Sequence, residues 1–270
     1  MLVYPKQNSR MIGECIYCGS TESPLNKEHI IPKGLNGNYT LLKASCSDCA
    51  AVTSKFEGDV LKCLWSIPRN VLNMRTGKPK NRSTTVPLVI EKNGVQSIIR
   101  VKPSEYPLYL LMPELQIPGI LENKPASSEL NVTNNPLFHV TGPTFQDAAS
   151  TYKCEFIGTR INYSPSDFGR TIAKIGYCAA VTAMGLSPLR NAPIRKIILG
   201  SDPGIGFRVG SWFDEPVNIK NSLHGFMVRM AGAECHVNIR LFAQFSASEY
   251  HVVIGEVDQT EIDIDNWLQL

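Results

Sequence analysis

No apolar run in these 270 residues reaches the roughly 18 positions a bilayer-spanning helix needs. The opening, MLVYPKQNSRMIGEC, lacks the charged-then-apolar pattern of an export leader. Both absences make a soluble, cytoplasmic chain with no membrane partner the expectation. Internal repeats and low-complexity tracts are also missing, which excludes solenoids and extended disordered arrays. A disulfide framework needs an oxidising compartment, and nothing here indicates secretion, so the eight cysteines read as reduced thiols or metal ligands. What remains is a globular composition, 43% hydrophobic, enough to bury a sizeable core.

Acidic residues are absent between Asp59 and Glu91, where Arg69, Arg75, Lys78, Lys80 and Arg82 lie. Residues 1–82 carry 12 Lys/Arg against 6 Asp/Glu, and residues 83–270 carry 15 against 18. A basic first part on a mildly acidic remainder points to a polyanionic partner for the first part. The stretch from Arg69 to Arg82 reads equally as a solvated linker or as a track along a nucleic-acid backbone. We place a domain boundary near residue 82, dividing 1–82 from 83–270.

After that boundary, two β-branched runs flank Asn93-Gly94, a hairpin signal. Residues 103–143 are rich in Pro and Asn and predict short strands with irregular connections. SPSDFGRTIAKIGYCAAVTAMGLSP predicts a helix capped by Ser164, entered through Pro165 and ended by Gly185 and Pro188. On it, Arg170 and Lys174 share a face and read as two solvated charges, with a phosphate or ligand contact as the alternative. IRKIILGS, GFRVGSWF and residues 223–257 read as strands, the last giving three with turns at Ala231-Gly232 and 246–249. GIGFRVG has phosphate-loop glycines but no strand–helix frame, so it reads as a turn.

Four of the cysteines form two pairs of identical spacing, Cys15-x2-Cys18 and Cys46-x2-Cys49, separated by 27 residues. Two such pairs can close a tetrahedral thiolate site around one Zn²⁺, a structural arrangement with no open coordination position. The remaining four, Cys63, Cys154, Cys178 and Cys235, read as buried thiols.

Between the pairs lies KEHIIPKGLNGN, with Glu28 directly before His29. The local order reads as strand, loop, strand, then a helix capped by Ser47 or Asp48, with Val52, Phe56, Val60 and Leu64 at helical spacing. Taken alone, His29 would be an ordinary structural histidine. The whole stretch from Cys15 to Leu64 resembles an HNH endonuclease, the ββα-metal nuclease class, in the subgroup where Cys-x2-Cys pairs flank an Asp/Glu-His. The resemblance implies a small N-terminal ββα-metal domain with a four-cysteine zinc site; with the strand patterns after residue 82, the chain reads as α+β, that domain being followed by a β-rich α+β domain. It implies metal-dependent phosphodiester hydrolysis, with His29 as general base and Glu28 holding a catalytic Mg²⁺ or Mn²⁺.

Ala50 stands where this family commonly has a metal-binding Asn, and alanine ligates nothing. Glu57, assisted by Thr53, is the replacement expected on the same helix side; the alternative is a nuclease fold kept for binding without turnover. Asn38, with Asn36 behind it, is the counterpart of the loop Asn that orients the base. The other histidines, His139, His224, His236 and His251, have no ligand spacing and read as structural; His236 and His251 can face each other across the final hairpin without any motif requiring it. Nucleic acid is the expected partner, DNA before RNA by family analogy, in a setting such as bacterial defence. Residues 83–270 carry the expectations of specificity, self-association or a small-molecule signal.

Overall fold

The sequence folds as mixed α+β in the computed structural model, which describes residues 9–22, 24–77, 82–127, 129–212, 222–245 and 248–258. The first strands are β1 (Ser9–Met11), β2 (Leu25–His29) and β3 (Thr40–Cys46). They form a sheet in the order β1-β3-β2, β1 parallel to β3 and β2 antiparallel to it. The register between β2 and β3 shifts between Asn26 and Glu28, and Lys43 on β3 sits at φ 49. Such a bulge bends the strand and redirects its side chains. Helix α1 (Ser47–Cys63) leaves β3 without a loop: Cys46 is its N-cap, Asp48 lies in its first turn, and no side-chain cap is made. Phe56, Val60 and Leu64 are buried, as the helical spacing predicts, and Val52 is half-buried.

α2 (Ser66–Val71) follows, then the hairpin β4 (Val86–Lys92) and β5 (Val95–Val101). Its turn is Asn93-Gly94, with φ 52 and 72. Two positive φ angles give the turn type that matches strand twist, so this hairpin forms where expected. Short strands occupy the Pro- and Asn-rich region: β6 (Leu108–Leu111), β7 (Glu114–Leu115), β8 (Val132–Asn134) and β9 (Leu137–Thr141), paired as β6-β9 and β7-β8. After α3 (Phe145–Tyr152), β10 (Phe156–Gly158) joins the β4-β5 sheet.

α4 (Pro165–Met184) is the long helix, capped as expected: the Ser164 hydroxyl accepts from the Asp167 N–H, and Gly185 ends it. Every residue from Phe168 to Thr182 except Arg170 is buried. A helix apolar all round belongs in a protein interior. It packs on the sheet β11-β14-β13-β12, made of β11 (Val209–Trp212), β12 (His224–Ala231), β13 (Glu234–Leu241) and β14 (Glu249–Glu256). A Cβ on Gly176 would lie 3.0 Å from the Val252 side chain, so glycine sets how closely helix and sheet approach.

Two strand readings are corrected. IRKIILGS is helix α5 (Ile194–Leu199), ended by Gly200 at φ 80. Ile194, Ile197 and Ile198 follow helical spacing, and all three are buried; β-branched content misled where period decided. Residues 205–208 form a single turn, α6 (Ile205–Arg208), before β11 begins. Buried residues on both sides of residue 82 belong to one cluster, from Cys15 and Phe56 to Phe168, Tyr177 and Ile254. A smaller cluster lies under the β4-β5 hairpin.

Candidate functional site

The Cys15–Ser20 turn closes on itself: the Gly19 N–H donates to the Cys15 carbonyl, and the Cys15 N–H to the Ser20 carbonyl. Gly19 takes φ 79, a conformation that suits a residue without Cβ. The Ile16 N–H donates to the Ala44 carbonyl, laying this turn beside the end of β3. Cys46 and Cys49 sit at the β3–α1 junction. The four sulfurs of Cys15, Cys18, Cys46 and Cys49 lie within 4.8 Å of one another, and none forms a disulfide. Cys18 Sγ and Cys46 Sγ are 3.7 Å apart. Four thiolates around a zinc at about 2.3 Å have edges of about 3.8 Å, so this cluster is able to hold a metal ion such as zinc. Of the other thiols, Cys178 and Cys235 are buried, whereas Cys63 is exposed and Cys154 half-buried. Cys63 lies at the C-terminal end of α1, a helix with an open face, so its expected burial does not hold.

Glu28 and His29 end β2. Glu28 is buried and His29 half-buried. Glu57 reaches toward Glu28 from α1. Between them stands Lys174 of α4: its Nζ is 2.9 Å from Glu28 Oε1 and 2.8 Å from Glu57 Oε1. The ammonium also donates to the main-chain carbonyl of His29 and, at 3.4 Å, to that of Ile30. Lys174 has no solvent-accessible surface. Burial alone would lower its pKa, but the charges of Glu28 and Glu57 outweigh that and hold the ammonium above the ordinary lysine range. Burial raises the Glu57 carboxyl against the pull of Lys174, and Glu28 adds to the rise, as expected of two acids sharing one cation.

The solvated reading of Arg170 and Lys174 is therefore wrong for both. Arg170 donates through Nε and Nη2 to the Ile198 carbonyl, at 3.1 and 2.7 Å, and its guanidinium lies 4.6 Å from the Phe56 ring centroid. The signal was present in the sequence: a lysine inside FGRTIAKIGYCAAV has apolar residues on every side of the helix, leaving no wet face to occupy.

Burial lowers the His29 pKa first, and Lys174 and Lys27 lower it further, partly opposed by Glu28. The imidazole is thus neutral near pH 7. Its Nδ1 is buried, with no hydrogen-bond partner among the described residues. Lys27 and Lys33, both exposed, also bear on it electrostatically.

The remaining expected site residues stand apart. The Thr53 hydroxyl donates to the Ala50 carbonyl at 3.3 Å, a contact within its own helix, and Thr53 is buried. Asn38 is exposed. Asn36, not Asn38, shapes the loop. At φ 66 it closes the turn Lys33–Leu35, and its Oδ1 accepts from the Arg75 N–H at 2.8 Å. Two residues of the basic stretch turn to main-chain carbonyls, while Arg75 is exposed. Arg69 donates to the carbonyls of Gly34 and Leu61, and Arg82 to those of Arg69, Asn70 and Met74. Lys78 and Lys80 lie outside the described residues.

α4, α5 and β12 lock this unit from the other side. The Tyr177 hydroxyl donates to the Ile16 carbonyl at 2.8 Å and Arg195 Nε to the Tyr17 carbonyl at 2.9 Å. His224 Nδ1 accepts from the Phe242 N–H at 3.2 Å, so Nε2 carries the proton and donates to the Leu35 carbonyl at 2.7 Å. Burial pushes the His224 pKa down to about 4. His236 and His251 do meet, diagonally and not in direct register, with Nδ1 and Nε2 2.9 Å apart.

The donor set of Glu28 and Glu57 is right for a hard divalent ion. Its focus holds the Lys174 ammonium, so in this arrangement the residues do not fit Mg²⁺ or Mn²⁺. No family model, curated protein or solved structure matches the chain.

Proposed function

We propose that this chain is an HNH-type protein directed at nucleic acid, DNA before RNA, and that in the arrangement described it binds without cutting. One observation carries the reading: a four-sulfur cluster, a Glu-His pair at the end of a strand and a facing helix carboxylate lie on one strand–loop–strand–helix unit. Zn²⁺ held by Cys15, Cys18, Cys46 and Cys49 staples that unit. Lys27 and Lys33 beside His29 supply positive charge where a phosphodiester would approach. Binding without turnover is favoured because the carboxylates expected to hold a catalytic ion already hold an ammonium.

Hydrolysis is the second reading, supported by His29. Its imidazole is neutral near pH 7, the protonation state a general base requires. The test is one gel-shift series and one cleavage series. Zinc-loaded protein is incubated with duplex DNA, with duplex and single-stranded RNA, and with supercoiled plasmid plus Mg²⁺ or Mn²⁺, alongside His29→Ala. Retarded DNA in both proteins with intact plasmid supports binding without turnover. Nicking by the wild type that is lost in His29→Ala establishes the endonuclease instead. Absence of both DNA and RNA binding sinks the proposal.

A further inference from the structure

Lys174 lies at the centre of four oxygens: one each from the Glu28 and Glu57 carboxylates and the carbonyls of His29 and Ile30. An all-oxygen shell with two carboxylates is the donor class that Mg²⁺, Mn²⁺ and Ca²⁺ take, at about 2.0–2.6 Å. The shell is built from the β2 end, the following loop and α1. The cation comes from α4, more than 100 residues later in the chain and packed directly on α1. A buried ion survives only when paired and hydrogen-bonded. Here each group needs the other: the carboxylates would be two like charges out of water, and the lysine a lone charge in an apolar helix.

We propose that Lys174 is the resident cation of this site, a protein-supplied substitute for a divalent ion. Glu28 and Glu57 are thereby closed to Mg²⁺ and Mn²⁺, and removing the Lys174 side chain converts the cluster into a divalent-cation site. The functional meaning of that closure rests on the HNH-type reading above; the exchange of cations does not. It also accounts for Ala50. With the cation delivered by Lys174 and met by Glu57, a ligand at the start of α1 has nothing to hold.

The experiment is a Mn²⁺ titration of the zinc-loaded full chain, followed by loss of the free Mn²⁺ electron paramagnetic resonance signal. It compares wild type, Glu57→Gln, Lys174→Ala and the double variant Lys174→Ala/Glu57→Gln. Wild type is expected to take up no Mn²⁺ that Glu57→Gln fails to take up. Lys174→Ala is expected to bind one Mn²⁺, and the double variant to bind it at least about tenfold more weakly. Lys174→Ala should also melt lower than wild type in chelator and regain stability with Mn²⁺, since a ligand of the folded state stabilises it. Wild-type uptake of an ion that depends on Glu57 overturns the proposal, whether or not Lys174→Ala folds. So does a folded Lys174→Ala that ignores Mn²⁺. Plasmid cleavage is scored separately. Mn²⁺ bound by Lys174→Ala with plasmid left intact keeps Lys174 as the resident cation and removes only the hydrolytic interpretation.

Discussion

Two acids and one base share a largely buried site at the Glu28–Glu57–Lys174 cluster, and each charge is stabilised by the others. Breaking a buried ion pair leaves an uncompensated charge, which costs about 3–5 kcal/mol when no partner remains. Glu57→Ala leaves Lys174 with Glu28, so the expected loss is smaller, about 1–3 kcal/mol. Urea unfolding measures it. A change below about 0.5 kcal/mol, the size of an ordinary surface substitution, would mean that Glu57 faces water. The same residues show how far a local motif can be read. Glu28, His29 and Glu57 stand together because strand, loop and helix spacing placed them there. Thr53 does not join them, because its hydroxyl bonds the carbonyl three residues earlier in its own helix.

At the scale of elements, the four-sulfur cluster joins the Cys15–Ser20 turn to the β3–α1 junction, so a metal ion held there would be a fold determinant for the first sheet. Cys49→Ser is expected to lose the bound zinc, about one ion per chain by elemental analysis. It should also lower the melting temperature, and a strong chelator should do the same to wild type. An unchanged melting curve after complete zinc removal would show that the core alone holds this unit. The contact between α4 and the sheet is a second element-scale constraint. Val252 belongs to β14, an inner strand with neighbours on both sides, so its backbone cannot yield to a side chain at Gly176. Gly176→Val is expected to destabilise by about 2 kcal/mol or more through overpacking, read from the urea midpoint. A neutral result would show that helix and sheet stand further apart. IRKIILGS teaches the same lesson from sequence: its isoleucines look like a strand by composition and like a helix by spacing, and spacing wins once one face is buried.

Across the whole molecule, histidines that burial keeps neutral link stability to pH. His224 is pushed to about 4, His251 to about 3, and His236 is also lowered. The unfolded chain takes up these protons near pH 6.5, before the folded chain does. Between about pH 6.5 and pH 4 the unfolded state therefore binds more protons, and stability falls as pH falls. Above pH 6.5 the contribution is fully present. For His224 the expected loss between pH 7.5 and pH 5 is at most about 2 kcal/mol. Urea midpoints at the two pH values measure it, and His224→Gln should reduce the difference, leaving the part carried by His236 and His251. A wild-type midpoint that does not move would mean these rings are open to solvent. His224 also shows how the halves are joined: a ring on β12 bonds the loop carbonyl of Leu35, and the tautomer is set by Phe242.

What the sequence determined by itself is local. The two Cys-x2-Cys pairs, the Asn93-Gly94 hairpin, the Ser164 cap and the period of α1 each need only residues within a few positions of one another, and each forms. What only the tertiary structure decided is where α4 lands. In sequence, Lys174 is one charge in a helix more than 100 residues from Glu28, and no short-range rule ties the two. Once α4 is buried on every side, water cannot solvate that charge, and the nearest carboxylates must. Tertiary contacts likewise turned Arg69 and Arg82 from a candidate phosphate track into donors for main-chain carbonyls of residues 34–74. Spacing is legible along the chain; the partner of a buried charge is set by desolvation, which exists only after the chain has folded.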